Sequence, residues 1–202
     1  MAALPVVVVL GLKGGSGKST LAIHLAVCAL KRVLLIDSDP QGTALEWAKM
    51  RGSPEPTVKP ARPGDLAQTI KSAADKYELV IVDTAPRVEP EVPTLVRQAS
   101  LIVIPVRPSM PDLAASQAAF RLAGASRHPF VVVLNAVDSR VGEAAEAHSL
   151  LSQHYDVAPP MLSQRIAFSR ALSTGRAVSE FEPTGKAAEE IEALWSYLKD
   201  KL

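Results

Sequence analysis

Unbroken apolar runs recur along the chain at about positions 4–10, 32–36, 79–83, 101–106 and 130–135. They do not alternate with polar residues, so each predicts a strand buried on both faces, as in a parallel sheet. Between them lie patterns with helical spacing: the stretch after position 18, then Gly42 to Met50, Gly64 to Lys76, Asp112 to Ala123 and Glu143 to Tyr155. Gly185 to Leu202 closes the chain, and its Ile191, Leu194, Trp195 and Leu198 form a core-facing stripe at i, i+3, i+4 and i+7. Segment 51–56 reads as a surface loop or an edge excursion. Pro105, Pro108 and Pro111 make the exit from the fourth run irregular, and Val157 to Pro160 ends the penultimate helical pattern. Strands alternating with helices predict an α/β fold, a mostly parallel sheet with helices on both faces.

Composition narrows this picture. The chain has 202 residues, enough for one domain over 1–202 with a substantial core. Apolar residues make up 48% and aromatics only 4%, so that core is aliphatic. The formal net charge is +1, so no global field attracts nucleic acid, and DNA binding would need a local patch. Cys28 is the single cysteine, which excludes a disulfide framework and a cysteine cluster within one chain. Its place in a helical pattern suggests packing. The first residues are strand-like, without the basic flank and cleavage site of a signal peptide. No apolar stretch nears the roughly 20 residues of a membrane helix. The expectation is a cytoplasmic protein without repeats or linkers.

The chemistry concentrates at the ends of the runs. After the first comes Lys13-Gly14-Gly15-Ser16-Gly17-Lys18-Ser19-Thr20, opening onto a helix. Strand, glycine loop and helix in that order form a phosphate-binding loop. Its N–H groups and the helix N-terminus cradle phosphate, Lys18 reaches the β- and γ-phosphates, and the Ser19 hydroxyl completes a Mg²⁺ shell. The usual loop also has a glycine five residues before Gly17. This chain has Leu12 there, with Lys13 beside it. The second run ends in Asp37-Ser38-Asp39-Pro40-Gln41, two carboxylates at the strand edge where open α/β sheets bind ligands. Carboxylates there suit a hard cation and a proton-accepting role, though either also suits a helix cap. The third ends in Asp83-Thr84-Ala85-Pro86, an acid that holds Mg²⁺ through water. The fifth ends in Asn135, whose amide suits either a base edge or a turn.

Taken together, these motifs resemble the ParA/MinD ATPases with their deviant phosphate loop, and the resemblance spans nearly the whole chain. It implies a three-layer P-loop NTPase fold, with ATP and Mg²⁺ as cofactors. It implies that Gly14, Gly15, Ser16, Gly17, Lys18, Ser19 and Thr20 bind nucleotide, with Asn135 on the adenine. Ser19, Asp37 and Asp83 would organise the metal, and Asp39 would position the attacking water. Thr84 and Pro86 match a segment that senses the γ-phosphate. In that family the early lysine contacts the nucleotide of a second subunit, so Lys13 implies an ATP-dependent sandwich homodimer.

Segment Ser163 to Leu172 and the following Pro183 to Ile191 resemble the late part of small ParA proteins. That implies non-specific, nucleoid-associated DNA binding, with Arg165, Arg170, Arg176 and Lys186 as candidates and Glu180 and Glu182 able to pair with them. Lys49, Arg51, Lys59 and Arg62 are the next candidates. The partner would be a ParB-like or centromere-binding adaptor that stimulates hydrolysis, and the cargo a plasmid, a chromosome or a large protein assembly. The helix-turn-helix domain of larger ParA proteins, and with it operator-specific repression, is not expected. A MinD-like membrane role is disfavoured by the acidic terminal helix, with Glu189, Glu190, Glu192 and Asp200, and no membrane is expected among the partners. The other alternative is a metabolic ATP-using enzyme such as dethiobiotin synthetase, which needs nothing of Lys13.

Overall fold

The computed structural model describes residues 4–87, 90, 92–138 and 142–202. Six strands, β1 (Val6–Val9), β2 (Val33–Asp37), β3 (Thr57–Pro60), β4 (Leu79–Asp83), β5 (Leu101–Val106) and β6 (Phe130–Leu134), form one sheet in the order β3-β2-β4-β1-β5-β6. Every pairing is parallel. Around it lie α1 (Lys18–Cys28), α2 (Thr43–Met50), α3 (Leu66–Ala73), α4 (Val92–Val96), α5 (Met110–Ser126), α6 (Glu143–Ser152), α7 (Ile166–Ser173), α8 (Val178–Phe181) and α9 (Lys186–Lys199).

The sheet separates two hydrophobic layers. Val6 and Val8 of β1 and Leu34 and Ile36 of β2 pack with Leu66, Leu113 and Phe120 on one face. Their neighbours Val7, Val9 and Leu35 pack with Leu21, Trp47 and Leu194 on the other. Successive side chains point to opposite faces and both faces are covered, which is why the strands read as continuous apolar runs.

The strand missing from the sequence-based expectation is β3, at the end of the 51–56 excursion. It is an edge strand paired only with β2, and its Lys59 and Pro60 are exposed. One-sided pairing needs no apolar run, so nothing in Thr57-Val58-Lys59-Pro60 announces it. The short helices α4, α7 and α8 also went unassigned. Helix α5 begins earlier than Asp112, because Ser109 caps it by accepting from the Asp112 N–H.

Register places the functional edge. Val9, Asp83 and Asp37 are paired in line across β1, β4 and β2, at the carboxyl ends of the strands. From β1 the chain winds one way, toward β2, and from β5 the other way, toward β6. The loops of these two neighbouring strands part there, as at a ligand-binding crevice.

Helix α1 carries a buried titratable group. His24 is wholly buried, with Nδ1 donating to the Thr20 carbonyl at 2.7 Å and Nε2 without a partner. Burial lowers its pKa from 6.5 to about 4. The unfolded chain therefore binds the extra proton between those values. Stability tied to neutral His24 is complete above pH 6.5 and falls as pH drops toward 4, by up to about 3 kcal/mol. Urea midpoints measured across that window should decline more steeply for wild type than for His24→Leu. Equal slopes would remove His24 as the acid-sensitive group.

Candidate nucleotide-binding site

The loop between β1 and α1 has a backbone that its glycines alone permit. Gly15 and Gly17 have φ of 77° and 92°. A Cβ on Gly17 would lie 2.1 Å from Asn135 Nδ2, so a side chain here would be strained at this φ and would displace the Asn135 amide. Lys18 opens α1, is only 6% exposed, and donates from Nζ to the Lys13 carbonyl at 3.2 Å. Burial lowers its pKa, opposed by the negative charge of Asp83 and Asp39. The ammonium is thus held inside the loop, close to two carboxylates.

Asp83 is fully buried, and among the described residues neither of its oxygens is within hydrogen-bond geometry of a partner, although the Ser19 hydroxyl is near enough to favour its charged form. Burial raises its pKa to about 7; the nearby Ser19 hydroxyl and Lys18 oppose this, while Asp37 and Asp39 add to it. The Ser16 hydroxyl is buried and unpartnered too. Such groups cost about 1–3 kcal/mol each when left unpaired, and more when charged. A buried ammonium, an unpaired carboxylate and an unpaired hydroxyl around one phosphate loop fit a site for a divalent cation and phosphate. Among the described residues no group of three or more His, Cys, Asp or Glu side chains forms a cation cage. Mg²⁺ is commonly held by one or two carboxylates together with substrate phosphates.

Several candidates also have duties within the protein itself. Asp37 accepts from the N–H groups of Asp39 at 3.1 Å, Ala44 at 2.9 Å and Leu45 at 3.1 Å. Both of its oxygens hold the β2–α2 turn, so the capping alternative describes Asp37 in this structure. Asp39 is half-buried and accepts from the Gln41 N–H at 3.0 Å. Thr84 is buried and donates its hydroxyl to the Val9 carbonyl, tying β4 to β1. Asn135 donates from Nδ2 to the Ser16 carbonyl at 2.7 Å, bracing the phosphate loop from the end of β6. One of the two Nδ2 hydrogens is thereby committed to protein.

Lys13 is paired within its own chain. Its Nζ lies 2.5 Å from Asp112 Oδ1, and Ser109 donates to the other oxygen. Asp112 went unnoticed in the sequence because it lies 99 residues from Lys13. The basic candidates divide. Arg170, Arg176 and Lys186 are exposed and form no ion pair among the described residues. Arg165 is bound to Glu190, with Nη2 at 2.6 Å and Nε at 3.1 Å. Arg51, one of the next DNA candidates, is a correction. Its side chain is 6% exposed, paired twice with Glu180 and laid over the Trp47 ring. No phosphate reaches a guanidinium so enclosed.

Two cavities of about 660 and 150 Å³ share the wall formed by Thr20, Ser163, Gln164, Arg165 and Phe168. The smaller one also touches Gly15, Gly17 and Asn135. A chamber thus opens directly off the phosphate loop.

This geometry defines a P-loop nucleotide-binding protein. Residues 7–178 match the CobQ/CobB/MinD/ParA nucleotide binding domain, and the chain belongs to that family. It is 34% identical to the maintenance of carboxysome distribution protein A of Gloeobacter kilaueensis, over 98% of this chain and 93% of that protein. It is 25% identical to the chromosome-partitioning ATPase Soj of Thermus thermophilus, over 90% of each. Its fold matches that of the cell division ATPase MinD of Pyrococcus furiosus with a TM-score of 0.81, at 15% identity and over 98% and 100% of the two chains.

Proposed function

We propose that this protein is a ParA-type positioning ATPase: it dimerises on ATP, binds DNA without sequence preference, and releases it after partner-stimulated hydrolysis. The observation that carries the reading is the buried, unpartnered carboxylate of Asp83 beside the buried Lys18 ammonium on a phosphate loop. Lys18 binds the β/γ-phosphate oxygens, and the loop N–H groups of Gly14 to Thr20 cradle them. Ser19 and Asp83 hold Mg²⁺, with Asp37 fixing the turn beside them. When bound, that ion neutralises charge developing on the phosphates. Asp39, half-buried and bonded through one side-chain oxygen among the described residues, positions the attacking water and accepts its proton. Arg170, Arg176 and Lys186 supply phosphate contacts to DNA.

The relatives support the assignment by what they are named for: one for carboxysome distribution, one for chromosome partitioning. A large assembly or a DNA molecule, reached through an adaptor, is the corresponding cargo here. No helix among the described residues is long and apolar enough to cross a membrane. Turnover of ATP with Mg²⁺, cosedimentation with DNA and flotation with anionic vesicles test the reading together. ATP-dependent flotation without DNA binding would replace it with a membrane role.

Lys13 is the residue that makes dimerisation specific. In a dimer its ammonium leaves Asp112 for phosphate oxygens of the opposite subunit, in a dry interface where charge pairs are strong. The Lys13→Ala, Asp39→Ala protein should bind ATP within about threefold of Asp39→Ala alone, a difference below about 0.7 kcal/mol. It should nevertheless remain monomeric by light scattering with ATP and Mg²⁺. A full dimer would sink the cross-subunit role and reopen the metabolic alternative.

A further inference from the structure

The chamber beside the phosphate loop has an unusual wall. Leu162 donates to the Leu134 carbonyl, the Val137 N–H to Leu162, and the Gln164 N–H to Val137. Residues 162–164 therefore run parallel to the continuation of β6 and bring Ser163, Gln164 and Arg165 to the chamber that Gly15, Gly17 and Thr20 also line. What holds this wall is a single carboxylate on α9. Glu190 accepts from the Ser163 N–H at 3.0 Å, the Ser163 hydroxyl at 2.8 Å, and Arg165 Nε and Nη2. A guanidinium anchored through Nε and Nη2 has its plane fixed, and Nη1 makes no hydrogen bond among the described residues. Phe168, one turn on, lines both cavities and is itself propped edge-on by His24 at 5.1 Å. A planar cation, an aromatic ring and the Gln164 amide thus face a chamber that opens off a phosphate site.

Planar cations and aromatic rings select flat, polar ring systems. We propose that Arg165 is a base-specificity residue of the nucleotide site rather than a DNA contact, with Glu190 as its positioning residue. The inference rests on the nucleotide reading above and adds what recognises the base. It also gives α9 a part in the site, since the C-terminal helix presets the wall against which a purine lies.

The test uses the full chain and three probes: ATP, CTP and inorganic tripolyphosphate, titrated calorimetrically. Arg165→Ala and Glu190→Ala should each weaken ATP by about tenfold and shrink the ATP-over-CTP preference. Tripolyphosphate should stay within about twofold, since it touches only the loop. Glu190→Gln retains one acceptor oxygen and should fall between wild type and Glu190→Ala. If Glu190→Ala does not fold, Arg165→Ala and Glu190→Gln decide. An unchanged base preference in folded Arg165→Ala overturns the proposal, as does a parallel loss of tripolyphosphate binding. So does a loss of DNA affinity in ATP-saturated Arg165→Ala with base preference intact. Wild-type protein that binds none of the probes sinks the nucleotide reading and this inference together; wild-type base preference untouched by Arg165→Ala sinks this one alone.

Discussion

Asp83→Asn is expected to raise the melting temperature of the nucleotide-free protein while abolishing its Mg²⁺-dependent response to ATP. The carboxylate sits fully buried with both oxygens unpartnered, so its charge is a cost carried by the fold until a cation meets it. With the folded pKa raised from 3.8 to about 7, the folded protein binds more protons than the unfolded chain between those values. The associated stability is complete below pH 3.8 and lost as pH rises through 7, up to about 4 kcal/mol. An amide removes the charge but keeps unpaired polar atoms, so a net gain of about 1–3 kcal/mol at pH 8 is expected. That corresponds to about 3–10 °C for a chain of this size. Thermal scans with and without ATP and Mg²⁺ read both effects. Wild type should gain stability on adding the pair, and the variant should not. A variant less stable than wild type at pH 8 would show that Asp83 is satisfied in the free protein.

The second large effect is at Lys18. Truncating one member of a buried charge pair costs about 3–5 kcal/mol, so Lys18→Ala should weaken ATP by about a hundredfold or more. Its consequence for the free protein runs the other way from Asp83→Asn. Without the ammonium, the Asp83 carboxylate loses its main positive neighbour, and the fold should become less stable above pH 7. Restoring stability in the Lys18→Ala, Asp83→Asn double variant would show that the two charges are coupled. ATP affinity within about threefold of wild type in Lys18→Ala, under about 0.7 kcal/mol, would contradict the phosphate-loop assignment.

These two predictions differ in where they come from. Lys18 was legible from Gly17-Lys18-Ser19 after an apolar run, because a phosphate loop is local and its residues are neighbours in the chain. Asp83 was legible as an acid at a strand end. That both its oxygens lack partners was not, because hydrogen bonding is decided by what packs around it.

By itself the sequence determined the parallel α/β class, five of the six strands, the phosphate loop and the carboxylates at the strand ends. Strands covered on both faces must be continuously apolar, and parallel strands place their carboxyl ends, with whatever polar residue terminates each run, at one edge. Tertiary structure decided the rest. Strand β3 forms because β2 offers it an edge, not because Thr57 to Pro60 are apolar. Asn135 meets Ser16 across 119 residues, Lys13 meets Asp112 across 99, and Arg165 meets Glu190 across 25. Whether a given Arg is free for a phosphate or spent on a neighbour depends on such meetings. Arg51, which looked available in the chain, is enclosed by Trp47 and Glu180, while Arg170 stands in solvent. Residue type and spacing carry local chemistry, but partners distant in the chain are assigned only when the sheet brings its loops together.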